Sequence, residues 1–412
     1  MTSPGQLSRR RRLVALGAAL ALGASVAACG SEESGGSDAA SSTEPITIGM
    51  SLPLTGPVAD RAKPGLEGYE YWAEELNRNG GMLGRQVELK VVDDGFDQRT
   101  AISDYTKLIG QDKVDLILGT FSSDLNLAVA PIAERYKYVY VEPSGGADEI
   151  FERDPKYLFF AQPATTQKLP KQFVELLRRT PDAQRPETVA FVTVDDPNTT
   201  QLEEILTRDL EALGIRTVLS STYAQDATNF DAIVNKVKGA NPDLVVSGAV
   251  AQDGINIVRS MQKLSFSPQM LYQVNSPTDP AYADGIGEDA TEGILTYLGW
   301  SAEADYPGNS EFVEGYRSKF GSEPSEDAAN SYTAGQVLAK AVEEVGKLDQ
   351  PRIAEWLHAN SVDTIVGPLS WDASGRSQGE MLLAQFQGGK LRVVGPPSAA
   401  TTEKVIYEKP SW

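Results

Sequence analysis

The chain has 412 residues, 41% of them hydrophobic and 23% charged, enough for two or three ordinary domains and too apolar for a disordered chain. Its 57 acidic residues against 37 basic ones leave a formal charge of -20, which excludes the clustered positive field that a nucleic-acid binder needs. One Cys and one His exclude a disulfide framework and every multi-Cys or multi-His metal motif, so neither a metal nor a cofactor is expected.

Arg9, Arg10, Arg11 and Arg12 make a basic n-region. The uncharged apolar stretch from Leu13 to Ala28 that follows is shorter than the roughly 20 residues a spanning helix needs, and reads as a secretory h-region. It ends in Val26-Ala27-Ala28-Cys29, which resembles a bacterial lipobox. That resemblance implies a leader over 1–28, cleavage before Cys29 and diacylglycerol on its thiol. Residues 29–45 are then the lipidated Cys and a Gly/Ser/Ala-rich tether that carries Glu32, Glu33, Asp38 and Glu44 and no basic residue. No later stretch is apolar enough to span a membrane, so the expected membrane contact is the lipid alone.

Beyond the tether, short β-branched runs alternate with helical patterns. Strands are predicted at Ile46–Leu52, Val87–Val92, Val114–Gly119, Tyr138–Val141 and Tyr157–Phe160, with helices at Gly65–Asn79, Thr100–Ile109 and Leu125–Glu134 between them. A second set has strands at Thr188–Val194, Thr217–Tyr223, Leu244–Ser247 and Met270–Val274, with helices at Leu202–Leu213, Phe230–Val237 and Gly254–Leu264. A third block reads as strand Ile294–Leu298, helices Ser310–Phe320, Asp327–Val345 and Pro351–Ala359, and strands Leu382–Phe386 and Leu391–Val394. This rhythm implies an α/β fold with parallel sheets and right-handed crossovers. Leu108–Gly119 and Val237–Gly248 echo each other as helix end, Gly, turn, Asp-Leu and apolar strand, which suggests two similar lobes. The expected division is 46–163 with 294–367 for lobe 1, and 164–293 with 368–412 for lobe 2.

The motifs of bond chemistry are missing. There is no phosphate-cradling Gly-x4-Gly-Lys-Ser/Thr loop and no Gly-x-Ser-x-Gly elbow. Gly285-Ile286-Gly287-Glu288-Asp289-Ala290 fits the loose dinucleotide pattern, but it does not follow a strand, and its carboxylates repel phosphate. His358 falls in the last turn of a helix, where it meets orphan carbonyls. Asp93-Asp94 and Asp195-Asp196 sit at strand ends, where neighbours point to opposite faces and make turn contacts rather than an acid/base dyad. No catalytic residue is assigned, and the chain does not read as an enzyme.

An ordered set of segments resembles the type I periplasmic solute-binding proteins of the branched-chain amino acid, or leucine-binding, class. It runs from Ile46–Pro57 through Asn79–Arg85, Asp93-Asp94, Ile117–Ser123 and Glu142–Gly146 to Val366–Asp372. The resemblance implies two Rossmann-like lobes joined by a three-crossover hinge, a solute bound as they close, and delivery to the permease and ATPase subunits of an ABC importer. The protein is then expected to be a monomer on the extracytoplasmic face of the cell membrane.

Ser122 and Ser123 lie between a predicted strand end and a helix start, and Glu142–Gly146 occupies the same place after the next strand. Ligands of parallel sheets bind there, and a hydroxyl beside free amides at a helix N-terminus traps carboxylates. The resemblance gives that role to the Ser123 side chain and to backbone near Ser144, Gly145 and Gly146, and places Arg61 as a cleft-lining cation. The second lobe departs from the family pattern. Thr200 and Val250 stand where aromatic residues are common, and Asn275 stands where a carboxylate usually meets the ligand ammonium. Either Asp196, Asp253 or Asp279 replaces that carboxylate, or the ligand is an acid or amide without an amino group. The expected function is capture of a small polar solute, most simply an amino acid or related carboxylate. The alternatives are a sensory module of the same fold for an amide or organic acid, and an extracellular hydrolase, which the lipobox and the missing nucleophile motif disfavour.

Overall fold

The run Ile-Thr-Ile-Gly-Met-Ser-Leu is almost wholly buried, and it forms strand β1 (Ile46–Leu52) at the heart of a parallel sheet. A computed structural model describes residues 44–412, apart from Pro57, Gln225, Asp226, Val250 and Pro280, and leaves out the side chains of Arg61, Pro197, Asn198 and Ala251. The leader, Cys29 and the tether up to residue 43 lie outside the described residues. From β1 the chain continues as α1 (Ala59–Arg78), β2 (Val87–Asp93), α2 (Gln98–Gly110), β3 (Leu116–Leu118), α3 (Ser123–Tyr136), β4 (Tyr140–Glu142) and β5 (Leu158–Phe160). These strands form one sheet, ordered β2-β1-β3-β4-β5, in which every pairing is parallel.

The chain then crosses to a second sheet. Its elements are α4 (Lys171–Arg179), β6 (Thr188–Val194), α5 (Pro197–Glu211), β7 (Arg216–Tyr223), α6 (Asp231–Ala240), β8 (Leu244–Ala249), α7 (Ala251–Lys263), β9 (Met270–Asn275), α8 (Tyr282–Ile286) and β10 (Leu295–Leu298). The chain returns to the first side as α9 (Asn309–Phe320), α10 (Glu326–Val345), α11 (Gln350–Ala359), β11 (Val362–Thr364) and β12 (Gly367–Leu369), and ends as β13 (Leu382–Gln387) and β14 (Lys390–Gly395). The second sheet runs β14-β13-β10-β9-β8-β6-β7. Its edge is antiparallel, because only Gly388 and Gly389, at φ 60 and 74, separate β13 from β14, and so tight a turn reverses the chain.

The chain therefore passes between the sheets three times, after β5, after β10 and after β12. The expected lobe boundaries shift. β10 pairs with β9 and β13 in the second sheet, not with lobe 1, because its partners and not its apolar pattern decide its place. Leu369 and Trp371, expected in lobe 2, are buried in the core of the first sheet. Trp371 Nε1 donates to the Phe160 carbonyl at 2.8 Å, and Phe160 N donates to Gly375 O at 3.1 Å, which docks the third crossing on β5.

Helix α10 is the element that matters most for the site. Ser325 caps it by accepting from Ala328 N, and Gly346 ends it in the left-handed conformation. It lies against α1 at two glycines, with main chain on main chain at the first and main chain on a ring at the second. A Cβ on Gly68 would run into the Ala328 carbonyl, and one on Gly335 into the Trp72 ring. The second contact has only a ring to displace, whereas the first meets main chain. Gly68→Ala is therefore expected to lower the unfolding free energy by about 1–3 kcal/mol through overpacking. Gly239→Ala, where a Cβ meets nothing within 4 Å, should leave stability unchanged or slightly raised. Paired denaturant melts check this, and equal midpoints for the two variants would remove the close approach from the account.

Candidate functional site

The carboxyl ends of β3, β4 and β9 face a cavity of about 480 Å³ that both sheets line. The first sheet contributes Ser122, Ser123, Ser144 and Gly146, while the second contributes Thr199, Val274, Asn275 and Tyr297. This is where ligands of parallel sheets bind, because strands end there and helices begin.

Two tyrosines fix the loop leaving β3. Tyr105 OH donates to Leu118 O at 2.6 Å, and Tyr69 OH to Gly119 O at 3.1 Å, so the last strand carbonyls are satisfied by side chains. Asn126 then holds the next turn. Its Nδ2 donates to Thr120 O at 3.2 Å and to Ser122 O at 3.0 Å, while its Oδ1 accepts from Tyr140 OH at 2.7 Å. These contacts, with the 2.8 Å bond from Ser122 N to Ser144 Oγ, hold Ser122 at φ 79, ψ 154, a region that only glycine visits readily. Such strain costs on the order of 1–3 kcal/mol and persists only where the surroundings over-determine it. The Ser122 hydroxyl is buried without a hydrogen-bond partner, and Ser123 opens α3, so its amide has no intrahelical acceptor.

The loop after β4 differs from expectation. Ser144 N and Gly145 N, expected to face the solute, both donate instead to Glu142 Oε2, at 2.9 and 2.6 Å. The reason is electrostatic: the Glu142 carboxyl is fully buried, and it draws in the nearest amides. Gly145 does not line the cavity. Ser144 contributes its hydroxyl, which accepts from Ser122 N and donates to Thr120 O at 3.2 Å, bracing one loop on the other. Gly146 lines the cavity and turns its carbonyl to Thr166 N at 3.4 Å. Ser123 Oγ accepts from Ala147 N at 3.3 Å, which leaves its proton directed to another acceptor.

On the second sheet, Asn275 lines the cavity as expected, at φ 67, with Oδ1 accepting from Tyr297 OH at 2.6 Å. Thr200 does not. It is exposed on α5, with Oγ1 donating to Asp196 O at 2.9 Å, and Thr199 occupies the cavity wall. The loop is the expected one, but a helix turns by about 100° per residue, so a neighbour faces elsewhere. Val250 and the Arg61 side chain lie outside the described residues. Asp196, Asp253 and Asp279, the candidate replacements for the missing carboxylate, do not line the cavity. Asp196 caps α5 by accepting from Thr199 N at 3.1 Å, and Asp279 Oδ1 accepts from Ala281 N at 2.8 Å.

The carboxylates that do line the cavity, Glu326 and Asp327, come from the first turn of α10, about 200 residues from Ser122 in the chain. Sequence reasoning misses them because acidic residues are common in any first helical turn. His358 meets carbonyls as expected, but not those of its own helix end: its ring nitrogens face Lys156 O and Asp372 O at 3.0 and 3.2 Å, and its ring packs on Phe159. Among the described residues there is no cluster of three metal-ligating side chains, and no helix is long and apolar enough to cross a membrane.

A model of the periplasmic binding protein family matches residues 45–390. The Leu/Ile/Val-binding protein homolog 7 of Brucella suis is 26% identical over 384 residues, covering 89% of this chain and 95% of its own length. Among solved structures, the branched-chain amino acid transporter substrate binding protein LivJ from Streptococcus pneumoniae, in complex with isoleucine, superposes with a TM-score of 0.71 at 20% identity. It covers 86% of this chain and 100% of its own. A solute-binding protein from R. palustris in complex with benzoate gives 0.69 at 22% identity, over 88% and 99% of the two chains. At these identities the solved structures share the fold.

Glu142 supplies a pH test of the site's frame. Desolvation pushes its carboxyl up to about 8, against the lowering effect of the Ser144 and Gly145 amides. The folded state thus binds this proton more tightly than the unfolded chain, and its contribution to stability falls as pH rises from about 5 to 8. The unfolding free energy of the wild type minus that of Glu142→Gln should fall by about 1.4 kcal/mol per pH unit across this window. Parallel curves in denaturant titrations would show that Glu142 ionises normally.

Proposed function

The chain belongs to the periplasmic binding protein family, and from that premise we propose that it is the solute-capturing component of an ABC importer, specific for an amino acid or a related small carboxylate. One observation carries the reading: a cavity lined by both sheets at their strand ends, with a helix start presenting Ser122 and Ser123 to it. The three chain crossings make a natural hinge, and closing the lobes removes the solute from water, which strengthens every polar contact to it. The fold does the binding, and no bond chemistry is assigned to it.

The carboxylate end of the solute is held by the start of α3. The free first-turn amides, the partial positive charge of the helix and the Ser122 and Ser123 hydroxyls are all donors at one place. Amides of Ser144 and Gly145 take no part, because Glu142 holds them. The relatives named above support an amino-acid solute. The R. palustris complex shows the same fold around an acid with no ammonium, and Asn275 in place of a carboxylate keeps that second reading, including a sensory use of the site, in contention.

The lipobox-like Val26–Cys29 and the acidic tether support a protein anchored by diacylglycerol on Cys29 to the outer face of the cytoplasmic membrane. It would work there as a monomer and hand its solute to permease and ATPase subunits. Ser123→Ala is expected to weaken binding of L-leucine by about 1.5–3 kcal/mol, the range for a hydrogen bond to a charged group. Isothermal titration calorimetry checks this, and an unchanged affinity would remove the carboxylate from the α3 start.

A further inference from the structure

Asn330 lies on α10 and lines the cavity. It is 2% exposed, and its Oδ1 is buried without a hydrogen-bond partner. Leaving a buried acceptor unmade is costly, so a donor is expected to reach it in the working state of the protein. Glu326 and Asp327, four and three residues earlier, lie on the same face of the helix and line the same cavity. Three oxygen-bearing side chains thus converge from one and a half turns.

We infer that the opening turns of α10 form the subsite for the cationic nitrogen of the solute, through Asp327, Glu326 and Asn330 Oδ1. The inference rests on the amino-acid reading above and names the group that replaces the carboxylate missing at Asn275. The chemistry is consistent. Asn275 Oδ1 accepts from Tyr297 OH and, as a neutral amide, supplies no negative charge to balance an ammonium. The helix dipole puts only about half a positive charge at the α10 start, against two carboxylates. Neither carboxylate is without a protein partner, and Glu326 Oε2 accepts from Gly299 N at 3.3 Å. A carboxylate has several acceptor sites, so an ammonium shares these groups rather than displacing their partners. A primary ammonium has three donors, which the three side chains match in number.

This arrangement puts both ends of the solute on the first sheet's side, the carboxylate at α3 and the ammonium at α10. The second sheet then closes over the side chain with Thr199, Val274 and Tyr297. Selection for a charged head and selection for a tail are divided between the two sides.

Isothermal titration calorimetry on the mature protein, stripped of solute by unfolding and refolding, uses two probes: L-leucine and 4-methylpentanoate, the same skeleton without the amine. Glu326→Gln and Asp327→Asn keep side-chain shape, and the amide oxygen introduced by the first can still accept from Gly299 N. Their melting curves establish that they fold. The wild type should prefer L-leucine by at least about tenfold, and the double variant should lose about tenfold or more for L-leucine while binding 4-methylpentanoate no more weakly. L-Leucine affinity unchanged in the double variant, or equal losses for both probes, would overturn the subsite and leave the solute-binding reading standing. A wild type that prefers 4-methylpentanoate would do the same. A wild type that binds neither probe would overturn the amino-acid reading and this subsite together.

Discussion

Helix α10 touches α1 through Gly68 and Gly335, main chain against main chain at one point and against the Trp72 ring at the other. The site depends on this contact. α10 enters the first lobe only after the chain has visited the second sheet, yet it must deliver Glu326, Asp327 and Asn330 beside loops that left β3 and β4 about 200 residues earlier. Side chains at the two glycines would push the helices apart and move those groups out of reach. The aromatic cluster of Tyr71, Phe312, Tyr316 and Tyr332 packs the same layer, with ring centroids 4.7–6.4 Å apart, and holds the helices in place.

From that frame the polar groups follow. The β3 carbonyls are capped by tyrosines, so the loop beyond them is rigid enough to keep Ser122 in a conformation that disfavours any side chain. Strain held in this way fixes Ser122 and the start of α3 at the cavity wall, and under the proposed function such preorganisation lowers the ordering cost of binding. Glu142 plays the opposite part. It takes the Ser144 and Gly145 amides that a family-level reading assigns to the solute, so they are not available to one.

Much of the fold is legible in the sequence. The bounds of β1 and β6 coincide with the predicted strands, because an apolar β-branched run buried on both faces admits few other structures. α4 is not among the predicted helices, although Phe173, Val174, Leu176 and Leu177 have helical spacing, because nine residues after Pro170 resemble a loop between stronger signals. The place of β10 differs from expectation since pairing partners are set by tertiary contacts that a four-residue pattern does not encode. At the site, Ser122, Ser123, Ser144, Gly146 and Asn275 fall where strand ends predict. Thr200 misses by one residue of helical phase. Gly145 loses its role to a buried acid whose burial no local motif reveals. The α10 carboxylates are hidden by distance along the chain.

The central claim is that the inter-sheet cavity captures a small solute with a carboxylate. The most direct measurement is a thermal-melt screen of residues 30–412, refolded to strip bound solute, against amino acids, amides, and aromatic and short organic acids. A true solute at a hundredfold excess over its dissociation constant should add about 2.7 kcal/mol and raise the melting point visibly. The account predicts such a shift for at least one carboxylate-bearing compound and none for its amide. Shifts confined to uncharged compounds, or with the amide as effective as the acid, would contradict it.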